Sequence, residues 1–169
     1  MSQHPEPKTP AHVWREMNPA QRLVAAQALW ADEESGAQQA DAVQALARRL
    51  RFRPQSVLRL SPDKLAHHLA SLHAVSDSLA GRALVVYHLV AQRPMLEAFL
   101  DHVGVAHDHG VIADSPGQAP ELARLRAAAA ALLERFPAAD VRVYLDTLAA
   151  QDPDMWGALA PIAAEIAVS

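Results

Sequence analysis

The chain contains no cysteine, and this absence excludes several classes of function. Disulfide bonds, thiolate nucleophiles and cysteine-ligated zinc sites cannot form. The sequence also lacks a glycine-rich phosphate loop, a His-Glu-x-x-His pair and a Gly-x-Ser-x-Gly elbow, which mark common nucleotide-binding and hydrolytic sites. A catalytic site in this chain would therefore have to be built from dispersed residues.

Long apolar runs are absent as well. The longest mostly apolar run, Ala83–Ala91, is too short to cross a bilayer and contains a histidine. Residues 1–10 are rich in proline and lack the apolar core of a signal peptide, so we expect them to form a disordered tail. We expect a cytoplasmic protein with no membrane partner.

Positive charge is scarce: 15 lysines and arginines stand against 19 aspartates and glutamates, for a net charge of −4. Nucleic-acid binders usually carry a positive surplus, so we do not expect a nucleic-acid partner. A local exception is a run of arginines that could bind an anion, namely Arg48, Arg49, Arg51 and Arg53, with Arg59 close behind. The alternative, which the pattern favours, is solvated charge offset by the preceding acidic run Asp32-Glu33-Glu34.

Three proline pairs predict helix starts. Asn18-Pro19, Ser61-Pro62 and Asp152-Pro153 each combine a residue that can cap a helix with a proline at the first helical position. Apolar residues also recur at helical spacing, as in Val43, Leu46 and Leu50. Proline starts together with this period predict an all-α protein.

The predicted fold is a multi-helix orthogonal bundle of about eight helices around a buried central helix at 78–92, which is apolar nearly all round. A C-terminal helical hairpin and a tail helix follow, and Pro161 should kink or split the tail helix because it has no N–H to donate. We expect one domain overall. Its parts would be the tail at 1–10, the main bundle at 11–112, a linker at 113–120 and a C-terminal lobe at 121–169.

Histidine is concentrated: seven of the nine histidines lie between His67 and His109. Two histidines on a helix share a metal ion when they are three or four residues apart, and none of the helical histidines has this spacing. The candidate metal ligands are therefore His107, Asp108 and His109, in a loop. The alternative is a structural turn in which Asp108 accepts backbone N–H groups.

The His107-Asp108 dipeptide, in an all-helical chain, resembles the HD-domain phosphohydrolases. The resemblance covers that dipeptide and the fold class only, and the helical context and the phosphate-handling base of that family are missing here. It would imply a divalent ion that activates water for attack on a phosphoester. It would also imply His68 or His73 as an upstream ligand and Asp140 or Asp146 as a downstream ligand.

The function that we expect from the sequence is a non-enzymatic helical module that binds another protein or itself. Half of the chain is hydrophobic, which can leave an apolar patch for a partner. The residues expected in that patch are Trp14, Met17, Met155 and Trp156, at the two ends of the chain. No cofactor is expected, and an HD-like metal-dependent hydrolase is the alternative.

Overall fold

The computed structural model describes residues 5–114 and 116–168, and this part of the chain is all-α. Helices make up 69% of the structure and strands are absent from the described residues, which confirms the predicted fold class. The described residues form eleven helices rather than about eight, because several of these helices are only four to seven residues long. The helices are α1 (Pro10–Glu16), α2 (Pro19–Ala31), α3 (Gly36–Leu50), α4 (Pro54–Leu58), α5 (Pro62–Ala70), α6 (Asp77–Ala91), α7 (Arg93–Val103), α8 (Leu122–Leu133), α9 (Ala138–Gln151), α10 (Pro153–Trp156) and α11 (Leu159–Glu165).

The chain divides into two compact units. The N-terminal unit is Pro10–Ala91 and contains α1 to α6, and the C-terminal unit is residues 92–168 with residues 5–9 and contains α7 to α11. The expected linker at 113–120 thus lies inside the C-terminal unit. Ser115 of that linker and residues 1–4 of the expected tail lie outside the described residues.

All three predicted proline starts begin helices. Asn18 makes a reciprocal capping box with Gln21: its Oδ1 accepts from the Gln21 N–H at 2.8 Å, and the Gln21 side chain accepts from the Asn18 N–H at 3.0 Å. Ser61 and Asp152 cap α5 and α10 in the simpler way, each accepting one backbone N–H. These three helix starts are thus determined locally by neighbouring residues.

Helix α6 is the central helix of the N-terminal unit, at the place predicted for it. It packs against α1, α2 and α3. Eight of its fifteen residues are buried, including Leu79, Leu84 and Val86. Contact on several sides explains why its sequence shows no single apolar stripe.

A buried arginine joins two helix ends in the N-terminal unit. The Arg22 guanidinium donates to the carbonyl of Ala70, the last residue of α5, at 2.9 Å, and to the carbonyl of Met17, just after α1, at 2.7 Å. Carbonyls at helix C-termini have no partner within the helix and carry the negative end of its dipole. Burial lowers the pKa of Arg22, and the carbonyls supply the hydrogen bonds that a buried cation needs.

We predict that Arg22→Met, which keeps most of the volume, destabilises the N-terminal unit by about 2 kcal/mol, because carbonyls are left buried without a donor. Urea unfolding followed by the fluorescence of Trp14 and Trp30 measures this, in a Trp156→Phe background that silences the C-terminal unit. The exposed neighbour Arg15 provides the control variant Arg15→Met. An equal loss in both variants would contradict a role for the buried hydrogen bonds.

Helix α6 also buries an ionisable side chain. His88 is buried, and its Nδ1 donates to the Leu84 carbonyl at 2.8 Å. Burial is the main cause that lowers the pKa of His88 from 6.5 to about 4, while the hydrogen bond to Leu84 opposes the shift. The folded protein therefore holds this imidazole neutral under conditions where the unfolded chain protonates it.

Stability should depend on pH through His88. The unfolded chain takes up a proton near pH 6.5 and the folded chain only near pH 4, so the contribution is complete above 6.5 and is lost as the pH falls from 6.5 to about 4. The expected loss is roughly 3 kcal/mol. Urea unfolding at several pH values, in the same Trp156→Phe background, measures it. His88→Leu should flatten this slope and His67→Gln, at an exposed position, should keep it; a slope that persists in His88→Leu would refute the assignment.

The C-terminal unit contains the predicted hairpin and tail helix. Helices α8 and α9 pack together, and α11 packs on both of them. Phe99 of α7 meets Tyr144 of α9 edge-on at 5.4 Å between ring centroids, and Trp156 at 5.9 Å. This aromatic cluster joins α7, α9 and α10 into one core.

Pro161 divides the C-terminal tail into two short helices, as the sequence predicted. A continuous helix would need a bond from the Pro161 nitrogen to the Gly157 carbonyl, which proline cannot donate. The Ala160 N–H donates to that carbonyl instead, at 3.1 Å. The break therefore falls after Trp156, and Pro161 occupies the first turn of α11.

Candidate functional site

The histidine-rich loop is a tight turn. The Asp108 N–H donates to the Val111 carbonyl at 2.8 Å, and the Val111 N–H donates to the Asp108 carbonyl at 2.9 Å. The two central residues, His109 and Gly110, have φ of 48° and 88°, the conformation of a type I′ turn. The turn that the sequence offered as an alternative is present, but the main chain of Asp108 closes it, with both its N–H and its carbonyl.

His107 fastens this turn to α7. Its Nδ1 accepts from the Gly110 N–H at 3.1 Å, and its Nε2 lies 2.8 Å from Oδ1 of Asp101. Because a backbone donor occupies Nδ1, the neutral ring carries its proton on Nε2 and donates it to the carboxylate. Both nitrogens of His107 are thereby engaged in holding the turn.

His109 lies beside different carboxylates. Its Nδ1 is 3.5 Å from Glu97 Oε1, and its Nε2 is 3.7 Å from Asp108 Oδ1, while the ring is mostly exposed. Glu97 and Asp101 are one helical turn apart on α7, so each faces one histidine of the turn. Their spacing is visible in the sequence, but their partners are not, because the turn folds back onto α7.

This arrangement does not assemble the ligand set of a metal centre. Within residues 5–114 and 116–168, no group of three or more His, Asp or Glu side chains is placed to hold a metal ion. His107, Asp108 and His109 are neighbours in sequence, but His107 and His109 contact carboxylates on different turns of α7. A metal at His107 would have to displace either the Gly110 N–H or the Asp101 carboxylate.

Of the further ligands implied by the HD-domain resemblance, Asp140 and Asp146 do not join His107 and Asp108 in a metal-binding group within the described C-terminal unit. Asp146 is buried in α9, and its carboxylate receives Lys8 Nζ at 2.9 Å. Asp140 lies in the first turn of α9, and His68 and His73 lie in and after α5 of the N-terminal unit. The chemistry that the geometry supports at His107 is hydrogen bonding that orders a loop.

We predict that His107→Ala releases the turn, because both of its anchoring bonds are lost. The Gly110 and Val111 amides should exchange with solvent roughly 30-fold faster, consistent with about 1 kcal/mol for each of the two hydrogen bonds lost. NMR-detected hydrogen exchange measures this, and the nitrogen shifts of the imidazole report the Nε2–H form. His109→Asn, which tolerates the left-handed backbone at this position, is the matched control, and equal acceleration by both variants would exclude a specific clamp at His107.

The four residues expected in an apolar interaction patch are not displayed together. Trp14, Met17 and Trp156 are buried, and Met155 is half-buried. The Trp14 Nε1–H donates to the Leu72 carbonyl at 2.7 Å, which ties α1 to the end of α5. The three buried side chains, which were predicted to form a patch for a partner, pack in the cores of their own units.

The arginine run, by contrast, is exposed to solvent. Its members are exposed, and none makes an ion pair with any described residue: Arg48, Arg49, Arg51, Arg53 and Arg59. The favoured interpretation of solvated charge stays a prediction, but no ion pair between described residues joins the acidic run Asp32-Glu33-Glu34 to these arginines. The Asp32 carboxylate instead pairs with Arg82 at 2.8 Å, and hydrogen bonds from Ser35 and Arg82 lower the pKa of Asp32.

Two large exposed apolar side chains lie among these arginines, and neither was predicted from the sequence. Phe52 is 48% exposed and Leu58 is 63% exposed. Their neighbour Val57 is fully buried and anchors the five-residue helix α4. The sequence feature that indicates the exposure of Phe52 is its position between two charged residues, Arg51 and Arg53. We call Phe52, Leu58 and the five arginines the arginine surface.

A second surface feature lies in the C-terminal unit. A groove of about 360 Å³ runs between α8 and α11, with Leu133, Ile162 and Ile166 in its lining. Its rim carries the Arg126–Glu165 ion pair at 2.9 Å, in which each partner favours the charged form of the other: the pKa of Arg126 is raised and that of Glu165 is lowered. The charges at this rim are thus already satisfied.

Comparison with protein-family models, curated proteins and solved structures found no match for this chain. Among the described residues, every helix is too short or too polar to cross a membrane.

Proposed function

We propose that this chain is a non-enzymatic helical module that binds another protein through the arginine surface. The observation that carries the proposal is that Phe52 and Leu58 are both exposed. The two residues lie in one seven-residue stretch, and this stretch is part of the arginine-rich segment. Arginine and aromatic side chains are enriched where proteins bind one another, and an exposed apolar pair gains free energy when a partner covers it. Single exposed apolar residues elsewhere need no such explanation.

The structure of α4 supports the proposal that this helix presents Leu58 to a partner. This helix has five residues, and Val57 is its only buried side chain. It therefore adds little to the core, while its anchoring by α3 holds Leu58 towards solvent. A rigid presentation of anchor residues lowers the entropy that binding would otherwise cost.

We predict that a photo-crosslinking residue, p-benzoylphenylalanine, captures a partner when it replaces Phe52 or Leu58 in cells of the source organism. The matched controls are Leu122, 49% exposed, and Val90, 67% exposed. Adducts should form at 52 and 58 and be at least about fivefold weaker at the controls, as expected when few positions dominate an interface. Mass spectrometry of the adduct distinguishes a second copy from another protein.

A further position separates the two candidate surfaces. Leu133 lines the groove between α8 and α11. Adducts at Leu133 but not at Phe52 or Leu58 would move the binding site to the groove and contradict the proposal for the arginine surface. An absence of specific adducts at all of these positions would contradict the proposed function itself.

A further inference from the structure

We infer that the partner segment bound at the arginine surface is acidic: a short stretch rich in aspartate and glutamate that also carries apolar side chains. This inference rests on the proposed function and specifies the chemistry of the partner. Its basis is the combination of uncompensated guanidinium groups with Phe52 and Leu58 on one contiguous segment, α3 to α4.

The segment that carries this surface has only positively charged side chains. No aspartate or glutamate occurs between Asp41 and Asp63 in the sequence, and the five arginines have no ion-pair partner among residues that the structure describes. Guanidinium groups present paired N–H donors that match the two oxygens of a carboxylate. Carboxylates from a partner would satisfy donors that the protein itself leaves to water.

The helix geometry turns the arginines outward. On α3, Val43, Leu46 and Ala47 form the buried face, and Arg48 lies on the opposite side of the axis. Arg51 ends the helix with a φ of 56°, a left-handed conformation that glycine adopts more easily. The chain thus carries an arginine where local backbone chemistry favours glycine, which indicates that the side chain contributes something other than stability.

Charge on the rest of the chain favours a short partner segment over an extended polyanion. Removing the five positive charges of the arginine surface from the net charge of −4 leaves −9 on the remainder. A nucleic acid or an anionic membrane extends beyond the surface and is repelled by that remainder. A short acidic segment contacts the arginines alone, and its apolar side chains can cover Phe52 and Leu58.

The test uses the full chain and a fluorescein-labelled twelve-residue peptide rich in glutamate that contains one phenylalanine and one leucine. Fluorescence anisotropy should show binding that weakens as salt is raised, because exposed ion pairs are screened. A peptide with lysine in place of glutamate should not bind. A peptide with alanine in place of phenylalanine and leucine should bind more weakly.

Arg51→Gly is the decisive variant. It should raise the urea midpoint of the N-terminal unit, because glycine relieves the left-handed backbone, yet weaken peptide binding roughly fivefold. A purely structural role would not combine higher stability with weaker binding. The double variant Arg48→Glu/Arg53→Glu should weaken binding roughly 30-fold, whereas Arg15→Glu/Arg135→Glu, with the same change in charge, should stay within about twofold.

Several results would overturn the inference. These are equal binding of the lysine peptide, no binding of the glutamate peptide, unchanged affinity in Arg51→Gly, or tighter binding of duplex DNA or phosphatidylserine vesicles than of the peptide. A protein segment crosslinked at Phe52 that lacks carboxylates would also overturn it while leaving the proposed function intact. A missing crosslink at both 52 and 58 tests the proposed function separately.

Discussion

Carbonyl groups at the C-termini of helices impose the constraint on which the N-terminal unit depends. Short helices end often, and each end leaves carbonyls that must find a donor when they are buried. Arg22 serves the ends of α1 and α5, and Trp14 serves Leu72 just beyond α5. The Gln39 side chain donates to Leu29 and Asp32 at the end of α2. Side chains from other helices therefore supply the donors at these helix ends.

The carbonyl at the end of α3 finds its donors in a different way. Backbone N–H groups of Arg51 and Phe52 donate to the Ala47 carbonyl, so the helix closes without a distant side chain. The arginines around this helix end are consequently not needed as hydrogen-bond donors to its carbonyl. Arginine thus occupies two kinds of position in one unit: Arg22 is buried and hydrogen-bonded to carbonyls, whereas the arginines of the arginine surface are exposed and have no ion-pair partner among the described residues.

The turn at His107 shows why residue types alone do not identify a site. A His-Asp-His sequence offers three groups that can bind a metal, but a type I′ turn fixes their directions through backbone torsions. His107 then uses both nitrogens, one for Gly110 and one for Asp101. Glu97 and Asp101 of α7, together with the two histidines of the turn, hold the turn against α7. Their proximity follows from how the chain returns onto α7, over a segment with little local pattern.

The sequence by itself determined the helical class, the central helix α6 and the division of the tail at Pro161. It also determined the three helix starts in which a capping residue precedes a proline. These features depend on residues close together in the chain, through capping bonds, missing N–H groups and apolar periodicity. Tertiary structure alone decided that Trp14 and Trp156 are buried, that Asp32 pairs with Arg82, and that Phe52 and Leu58 are exposed. Burial and pairing depend on which distant elements meet, and an apolar residue has the same local pattern whether a neighbour covers it or solvent does.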